Sequence, residues 1–200
     1  MTAESDEQLV ERWRKAADAS AIATLADRYL GQFYGTARAM MLTKDDSQDI
    51  AQEAMLKVVR AIETFDASKS FRTWSYTILL NSIRSQRRRQ KTYSQRLKAV
   101  DNIDGYADVE SSRQAQFGTN ETSQCIANAL GKLTEKQRTA LVMMVMEGHS
   151  AAEVAEMEGC SVDAIYQRVA RWNESPVPRE LMAHILVNSL QLKSTVQDHK

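Results

Sequence analysis

The amino-acid sequence predicts an all-α protein of two small helical domains joined by a flexible acidic linker, with a helix-turn-helix in the second domain. The 200 residues include only two prolines and seven glycines, so long helices are not interrupted. Apolar residues recur at helical spacing, and no segment shows the alternation of a half-buried strand. Capping boxes, in which Ser or Thr is followed three residues later by Glu or Gln, mark helix starts at Ser5, Thr134 and Ser150.

The first domain is predicted at residues 1–95 and contains four helices. The Ser5 capping box opens the first helix, and a second helix keeps its apolar spacing through residues 22–41. Thr43 can cap the third helix, and Ser70 can cap the fourth after the break TFDASKS. The inner face of the fourth helix is predicted to consist of Phe71, Trp74, Ile78, Leu79 and Ser82.

Charge is segregated along the chain, although the totals balance at 26 basic and 26 acidic residues. Residues 1–98 hold 17 basic and 12 acidic side chains, a net of +5, whereas residues 99–131 hold one and five, a net of −4. The run from Arg84 to Lys98 has seven basic residues and no acidic one. This run favours a nucleic-acid partner. The alternative is a solvated helix end beside the negative pole of the helix dipole.

Residues 96–122 are predicted to be the linker, because they carry excess acid and few apolar anchors. Helical spacing returns in the second domain, predicted at residues 123–173. A helix is expected from Thr134 to Glu147, where Gly148 can end it.

The segment SAAEVAEMEGCSVDAIYQRV, residues 150–169, predicts a helix-turn-helix. Gly159 can adopt the left-handed conformation of the turn, and Val154, Val162 and Ile165 can pack between the two helices. In this motif the N-terminal part of the second helix enters the major groove. The candidate contacts are Ser161, Asp163, Ala164, Tyr166, Gln167, Arg168 and Arg171. The alternative is a helical hairpin that only packs.

The segment SFRTWSYTILLNSIRSQRRRQ, residues 70–90, places aromatic residues at one end of a helix and four arginines at the other. Asn81, Ser85 and Arg88 are spaced to share a face. Asparagine can bind base edges, and arginine can bind phosphate or guanine. The preceding loop and its aromatic neighbours can receive an unstacked base. For Trp74, burial in the core is the favoured alternative.

The segment DDSQDIAQEAMLKVV, residues 45–59, carries acidic and amide side chains on its outer face. Acidic residues near a helix N-terminus are favoured by the helix dipole. The positions of Asp45 and Asp46 are therefore explained without a binding partner. Gln52 and Glu53 lie further along the helix and therefore favour a protein partner.

Two blocks of this sequence resemble bacterial RNA polymerase sigma factors. The block DDSQDIAQEAMLKVVRAIETFDASKSFRTWSYTILLNSIRSQRRR resembles region 2, and LTEKQRTALVMMVMEGHSAAEVAEMEGCSVDAIYQRVAR resembles region 4. Two helical domains with only a linker between them resemble the extracytoplasmic-function (group IV) type of the sigma-70 family. The resemblance covers about residues 20–95 and 124–171.

The resemblance implies a subunit that binds core RNA polymerase and directs promoter recognition, strand opening and transcription initiation. It assigns polymerase binding to Asp46, Asp49, Gln52 and Glu53. It assigns the downstream (minus-ten) promoter element to Phe65, Ser68, Lys69, Ser70, Asn81, Arg84, Ser85 and Arg88. The helix from Ser161 to Arg171 would read the upstream (minus-thirty-five) element, and the acidic linker would lie in the RNA channel of the polymerase.

The chain departs from the family pattern after the helix-turn-helix. In the family the last helix continues through further basic residues, but here Pro176 and Pro178 should stop it. Residues 174–200 are predicted to form an amphipathic extension that packs on the second domain or binds a regulator. Besides core polymerase and promoter DNA, an anti-sigma factor or other regulator is an expected partner.

Other classes of function find little support in the sequence. There is no Gly-rich phosphate loop, and His149, His184 and His199 lack metal-ligand spacing, so neither catalysis nor a metal or other cofactor is expected. Cys125 and Cys160 show no CxxC pattern. No apolar run suits a membrane span and no signal peptide is evident, which predicts a cytoplasmic protein. A stand-alone helix-turn-helix regulator is the alternative, but it leaves the third and fourth helices unexplained.

Overall fold

The structure is a computed structural model that describes residues 4–100 and 127–173, with side chains described through residues 96 and 170. The chain divides into two compact units. Among the described residues, the first comprises 4–37 and 44–100, and the second comprises 127–173 with the short segment 38–43. Every regular element among the described residues is helical, which confirms the predicted fold class. Most of the predicted linker and all of the predicted C-terminal extension lie outside the described residues.

The first unit contains four α-helices and a short 3-10 helix. Their bounds are α1 Asp6–Ala16, α2 Ala19–Ala39, α3 Lys44–Ala61, the 3-10 helix Ile62–Thr64, and α4 Phe71–Val100. The predicted capping box of Ser5 with Gln8 is confirmed, as is the cap of α4, where the Ser70 hydroxyl accepts from the Thr73 amide at 3.2 Å. Helix α4 continues past the predicted domain limit at residue 95, because its last turns contain good helix formers and neither Gly nor Pro. The domain limits themselves stay predictions.

A cluster of aromatic rings forms the centre of the first unit. Phe71, the first residue of α4, is fully buried and lies 5.5 Å from the ring centroids of both Tyr29 and Phe65. Phe33 meets Tyr76 edge to face at 5.4 Å. Such edge contacts add to the large apolar area that each ring buries. The cluster therefore joins α2, α4 and the loop between α3 and α4.

Helix α1 is attached to α2 through the Asp6 carboxylate. One oxygen accepts from Arg28 at 2.6 Å and the other accepts from the Tyr29 hydroxyl at 2.5 Å. Burial, together with this hydrogen bond to Asp6, raises the pKa of the Tyr29 phenol far above its ordinary value. Tyr29 therefore stays a hydrogen-bond donor at any physiological pH.

The second unit contains short helices and one π-helical turn. Their bounds are α5 at residues 127–131, α6 Glu135–Leu141, the π turn Val142–Met146, α7 Ala151–Glu158 and α8 Val162–Asn173. The predicted capping boxes at Thr134 and Ser150 are confirmed. The prediction of one regular helix up to Glu147 is wrong in its last part, because the Glu147 amide bonds to the Val142 carbonyl five residues back. Gly148 then ends the segment at a φ of 71°.

Helices α7 and α8 form the predicted helix-turn-helix. Gly159 ends α7 in the left-handed conformation with φ 61°, and the Cys160 amide reaches back to the Ala155 carbonyl at 3.0 Å. Val154 and Ile165 are fully buried, as predicted. The prediction was wrong for Val162, which is 37% exposed because it is the first residue of α8 and lies at the edge of the packed face.

None of the described helices is both long and apolar enough to cross a membrane.

Two glycine-to-alanine substitutions should have opposite effects on stability. Gly159→Ala forces a side chain into a left-handed backbone and should lower the free energy of unfolding by about 1 kcal/mol. Gly35→Ala adds a methyl group in open space on helical α2 and should raise it by up to about 1 kcal/mol. Urea unfolding followed by circular dichroism measures both. Equal signs for the two variants would contradict this account.

Candidate polymerase and promoter interfaces

The outer face of α3 carries an exposed row that begins with Asp49 and Gln52. Leu56, one turn further along the same face, is 56% exposed. Leu56 was not among the predicted interface residues, and it lies outside the apolar stripe that α3 buries. A single exposed leucine is common on protein surfaces. This one extends the row that was predicted to meet a protein partner, so we include it in the candidate interface.

Asp46 and Glu53, also predicted to bind polymerase, hold α3 against α4. The Asp46 carboxylate accepts hydrogen bonds from Gln86 at 3.1 Å and from Gln90 at 3.2 Å. Glu53 pairs with Lys57 at 2.6 Å and with Arg89 at 3.4 Å. The hydrogen bond from Lys57 holds the pKa of Glu53 below its ordinary value. Within the predicted set, Asp49 and Gln52 are the most exposed.

A shallow groove runs beside this row between α2 and α3. It is lined by Leu30, Tyr34, Lys44, Gln48, Ala51 and Gln52. Gln52 thus belongs both to the exposed row and to the edge of the groove. The two features form one continuous surface of mixed apolar and polar character, as is usual in protein interfaces.

The loop between the 3-10 helix and α4 exposes three of the predicted downstream-element residues, namely Ser68, Lys69 and Ser70. The prediction for Phe65 is not supported. Its ring is buried, with its centroid 5.1 Å from that of Trp74, and is therefore not accessible to a base. Residues at a loop start often close the core beneath it, and a sequence pattern does not separate that role from an exposed one.

Asp66 gives the loop a defined turn. Its carboxylate accepts from the Ser68 amide at 3.0 Å and from the Ser68 hydroxyl at 2.8 Å. The backbone bond, followed by the side-chain bond, lowers the pKa of Asp66. The ionised carboxylate is therefore the form that stabilises the turn.

The predicted residues of α4 form one row along the helix. The Arg84 guanidinium donates to the Asn81 side-chain oxygen at 3.0 Å, and Arg88 donates to the Ser85 hydroxyl at 3.4 Å. Asn81 and Arg88 are exposed. Arg89, which the sequence grouped with the other arginines, faces Glu53 of α3 instead. The arginine run therefore serves two faces of the helix.

Helix α8 exposes most of the predicted upstream-element residues. Ser161, Asp163, Tyr166 and Gln167 are exposed, and Ala164 is half-buried. Arg168 is not a simple surface cation, because it pairs with Glu158 of α7 at 3.2 Å and only 17% of its side chain is exposed. It lies one turn after the buried Ile165, and this position turns it toward α7. The Arg171 side chain lies outside the described residues.

Comparison with known protein families matches both units. Residues 25–93 match sigma-70 region 2, and residues 123–171 match sigma-70 region 4. The ECF RNA polymerase sigma factor SigM of Mycobacterium tuberculosis is 30% identical over 156 residues, which cover 78% of this chain and 75% of SigM. The chain belongs to the extracytoplasmic-function (ECF) class of the sigma-70 family. The predicted resemblance is thereby confirmed.

Two further comparisons agree with this assignment. The RNA polymerase sigma-H factor of Pseudomonas aeruginosa is 29% identical over 182 residues, covering 88% of this sigma factor and 93% of the relative. A solved structure of the sigma factor RpoE from Bartonella quintana, in complex with the anti-sigma factor NepR, has a similar fold. Its TM-score is 0.59 at 24% identity, with 79% of this chain and 91% of that chain covered.

Membership of the family establishes the general function. This sigma factor binds core RNA polymerase and directs promoter recognition and transcription initiation. Sigma factors are in general non-catalytic initiation factors. A stand-alone regulator with only a helix-turn-helix is not favoured, because the first unit matches region 2.

Removing the Ser68 hydroxyl should raise the pKa of Asp66. In Ser68→Ala the backbone amide can still bond to the carboxylate, so only part of the lowering is lost. A lowered pKa in the folded state means that the turn is stable above the ordinary carboxyl pKa and weakens as pH falls through the folded-state value. NMR titration of the side-chain carboxyl measures the shift.

Asp18 is the internal control for this titration. The Ser20 side chain and amide lower its pKa in a similar way, far along the chain from Ser68. The pKa of Asp18 should be unchanged in Ser68→Ala. No change at Asp66 would show that the hydroxyl contributes nothing to the turn.

Proposed function

We propose that the first unit of this sigma factor uses two different faces for its two partners. The α3 row of Asp49, Gln52 and Leu56 binds core polymerase, with the groove beside it. The exposed loop residues Ser68, Lys69 and Ser70 and the α4 row of Asn81, Arg84, Ser85 and Arg88 bind the downstream promoter element. The supporting observation is that the polar residues of α4 lie on two faces. Asn81 and Arg88 are exposed. Gln86, Gln90 and Arg89 instead form hydrogen bonds to α3.

The chemistry of the α4 row suits promoter DNA. An asparagine amide can pair with an adenine edge, and arginine can pair with guanine or phosphate. The exposed hydroxyl and ammonium groups at Ser68 and Lys69 lie before the helix, where a separated strand can be held. Asp46 and Glu53 of α3 are engaged by side chains of α4, which offsets part of the acidic charge near this row.

Upstream-element recognition is assigned to the first turns of α8. Tyr166 is 57% exposed and Gln167 is exposed, so both can reach base edges or phosphate. Arg168 is engaged with Glu158, so it contributes to packing of the motif more than to DNA contact. Binding by this unit alone should then be weak. Attachment to polymerase through the first unit raises its effective concentration at the promoter.

The remaining assignments follow from the family. We place the sigma region 2 domain at residues 1–95, the linker at 96–122, the region 4 domain at 123–173 and the extension at 174–200. The linker would lie in the RNA channel of the polymerase. The protein would act in the cytoplasm, where core polymerase is found, without catalysis of its own. An anti-sigma factor, such as the one bound in the RpoE structure, is the proposed regulatory partner.

The first test is co-elution of the purified chain with bacterial core RNA polymerase, followed by transcription from a genomic fragment library. Co-elution with discrete new start sites would support the proposal and reveal the promoter. Absence of core binding with retained binding to duplex DNA would instead support a stand-alone regulator.

Substitution of the α3 row should weaken binding to core polymerase. The double variant Asp49→Ala with Gln52→Ala should reduce affinity at least about tenfold, or about 1.4 kcal/mol, as expected for residues inside an interface. Leu56→Ala should have an effect of similar size. Fluorescence anisotropy of labelled chain titrated with core polymerase measures the affinity.

The matched control is Glu11→Ala. Glu11, like Asp49, is an exposed carboxylate on a helix of the first unit, so the same kind of surface charge is removed elsewhere. Its affinity for core should equal that of the unaltered chain. Equal affinity for all variants would remove the α3 row from the interface.

Substitution of Asn81 should reduce promoter opening more than polymerase binding. Loss of one base contact corresponds to about 1–3 kcal/mol, so Asn81→Ala should slow opening about tenfold or more at unchanged core affinity. Permanganate reactivity of unpaired thymines measures opening on a promoter found in the library. Asn128→Ala, an exposed asparagine of α5, is the control and should open normally. An unchanged opening rate in Asn81→Ala would mean that this row does not read DNA.

A further inference from the structure

Helix α1 makes polar contacts at both ends of the loop that is proposed to read the downstream element. This helix spans Asp6–Ala16, before the part of the chain that matches sigma-70 region 2, which begins at residue 25. Its polar side chains nevertheless reach across the sequence to residues 62–71.

Arg14 binds the end of the 3-10 helix from which the loop departs. One guanidinium nitrogen donates to the carbonyls of Ile62 at 2.7 Å, Glu63 at 3.0 Å and Phe65 at 2.5 Å. The last carbonyl groups of a helix accept few hydrogen bonds from the helix itself, and here the Ile62 carbonyl also accepts from the Phe65 amide at 3.2 Å. A charged donor makes stronger hydrogen bonds than a neutral one. Arg14 therefore binds the chain at the point where it leaves the 3-10 helix.

Two further contacts from α1 act on the same segment. The Trp13 indole donates to the Glu63 carboxylate at 3.1 Å. At the far end of the loop, the Phe71 amide donates to the Glu7 carboxylate at 3.1 Å, which satisfies a donor in the first turn of α4. Helix α1 thus holds both ends of the loop, while residues 66–70 between them are exposed.

We propose that α1 is a brace that sets the shape of the downstream-element loop, and that Arg14 is a positioning residue for base discrimination by that loop. The inference rests on the proposed function, because it takes residues 66–70 to meet the downstream element. Arg14 acts through three carbonyls whose positions determine where Ser68 and Lys69 lie. Loss of the Arg14 guanidinium should reduce the discrimination between bases of the downstream element. It should leave the α3 row, and so the affinity for core polymerase, unchanged.

The test measures the ratio of transcription on the best promoter to transcription on a promoter with one altered base. This ratio does not depend on how much of a variant is folded. Transcription by the full chain with core polymerase is compared on the best promoter from the genomic library and on the same promoter with single-base changes in its downstream element. Arg14→Met keeps the apolar stem but removes every donor. We expect the ratio to fall about tenfold, the discrimination that one base contact provides, at unchanged affinity for core.

Arg12→Met is the matched control. Arg12 lies on the same helix and is also paired, but its partners are Glu4 at 2.7 Å, Asp18 at 3.0 Å and Ser20 at 3.2 Å, all outside the loop. Its ratio should equal that of the unaltered chain. A fall equal to that of Arg14→Met would assign the effect to α1 as a whole and overturn the role given to Arg14.

Arg14→Lys keeps the charge but not the planar fork, so its ratio should lie between those of Arg14→Met and the unaltered chain. If Arg14→Met does not fold, the transcription ratio of Arg14→Lys becomes the test of the proposal. A ratio equal to that of the unaltered chain would then overturn it. A merely structural role would lower transcription from all promoters by the same factor and leave the ratio unchanged. Absence of core-dependent transcription by the unaltered chain would overturn the proposed function, and the brace with it.

Discussion

Burial of Phe71 is the interaction on which the first unit depends. The ring is inaccessible to solvent, and it contacts Tyr29 of α2, Phe65 of the loop and Trp74 of α4. Truncating a buried ring of this kind costs about 3–5 kcal/mol, a large part of the stability of a typical domain. Because Phe71 is also the first residue of α4, the same packing fixes the loop and the start of the helix that carries the proposed DNA row.

Charged residues in this sigma factor have two distinct uses. Some hold elements together, as Glu53 does with Arg89 and Arg14 does with the 3-10 helix. Others stay on the surface, as Asp49 and Arg88 do. A half-exposed ion pair contributes little to stability, on the order of 0–1 kcal/mol. Its structural value here is orientation, since it decides which side chains of α3 and α4 remain available to a partner.

Helix starts were predictable because their signals are local. A capping box needs only residues three apart, and the boxes at Ser5, Thr134 and Ser150 are present as predicted. The sequence did not show how individual side chains pack on a neighbouring helix or loop. Phe65 and Arg168 were predicted to meet DNA, yet one is packed on Trp74 and the other is paired with Glu158. Leu56 was missed for the converse reason, as its exposure depends on what α3 packs against.

The sequence by itself determined the helical class, the order of the helices, the turn at Gly159 and the family resemblance, because each depends on spacing along one segment. Only the tertiary structure decided which of four arginines in one run faces outward and which reaches α3. Only the tertiary structure also joined Glu7 and Arg14 to a loop about fifty residues or more away in the chain. Side-chain partners across such separations are set by how helices pack, and no local spacing encodes that packing.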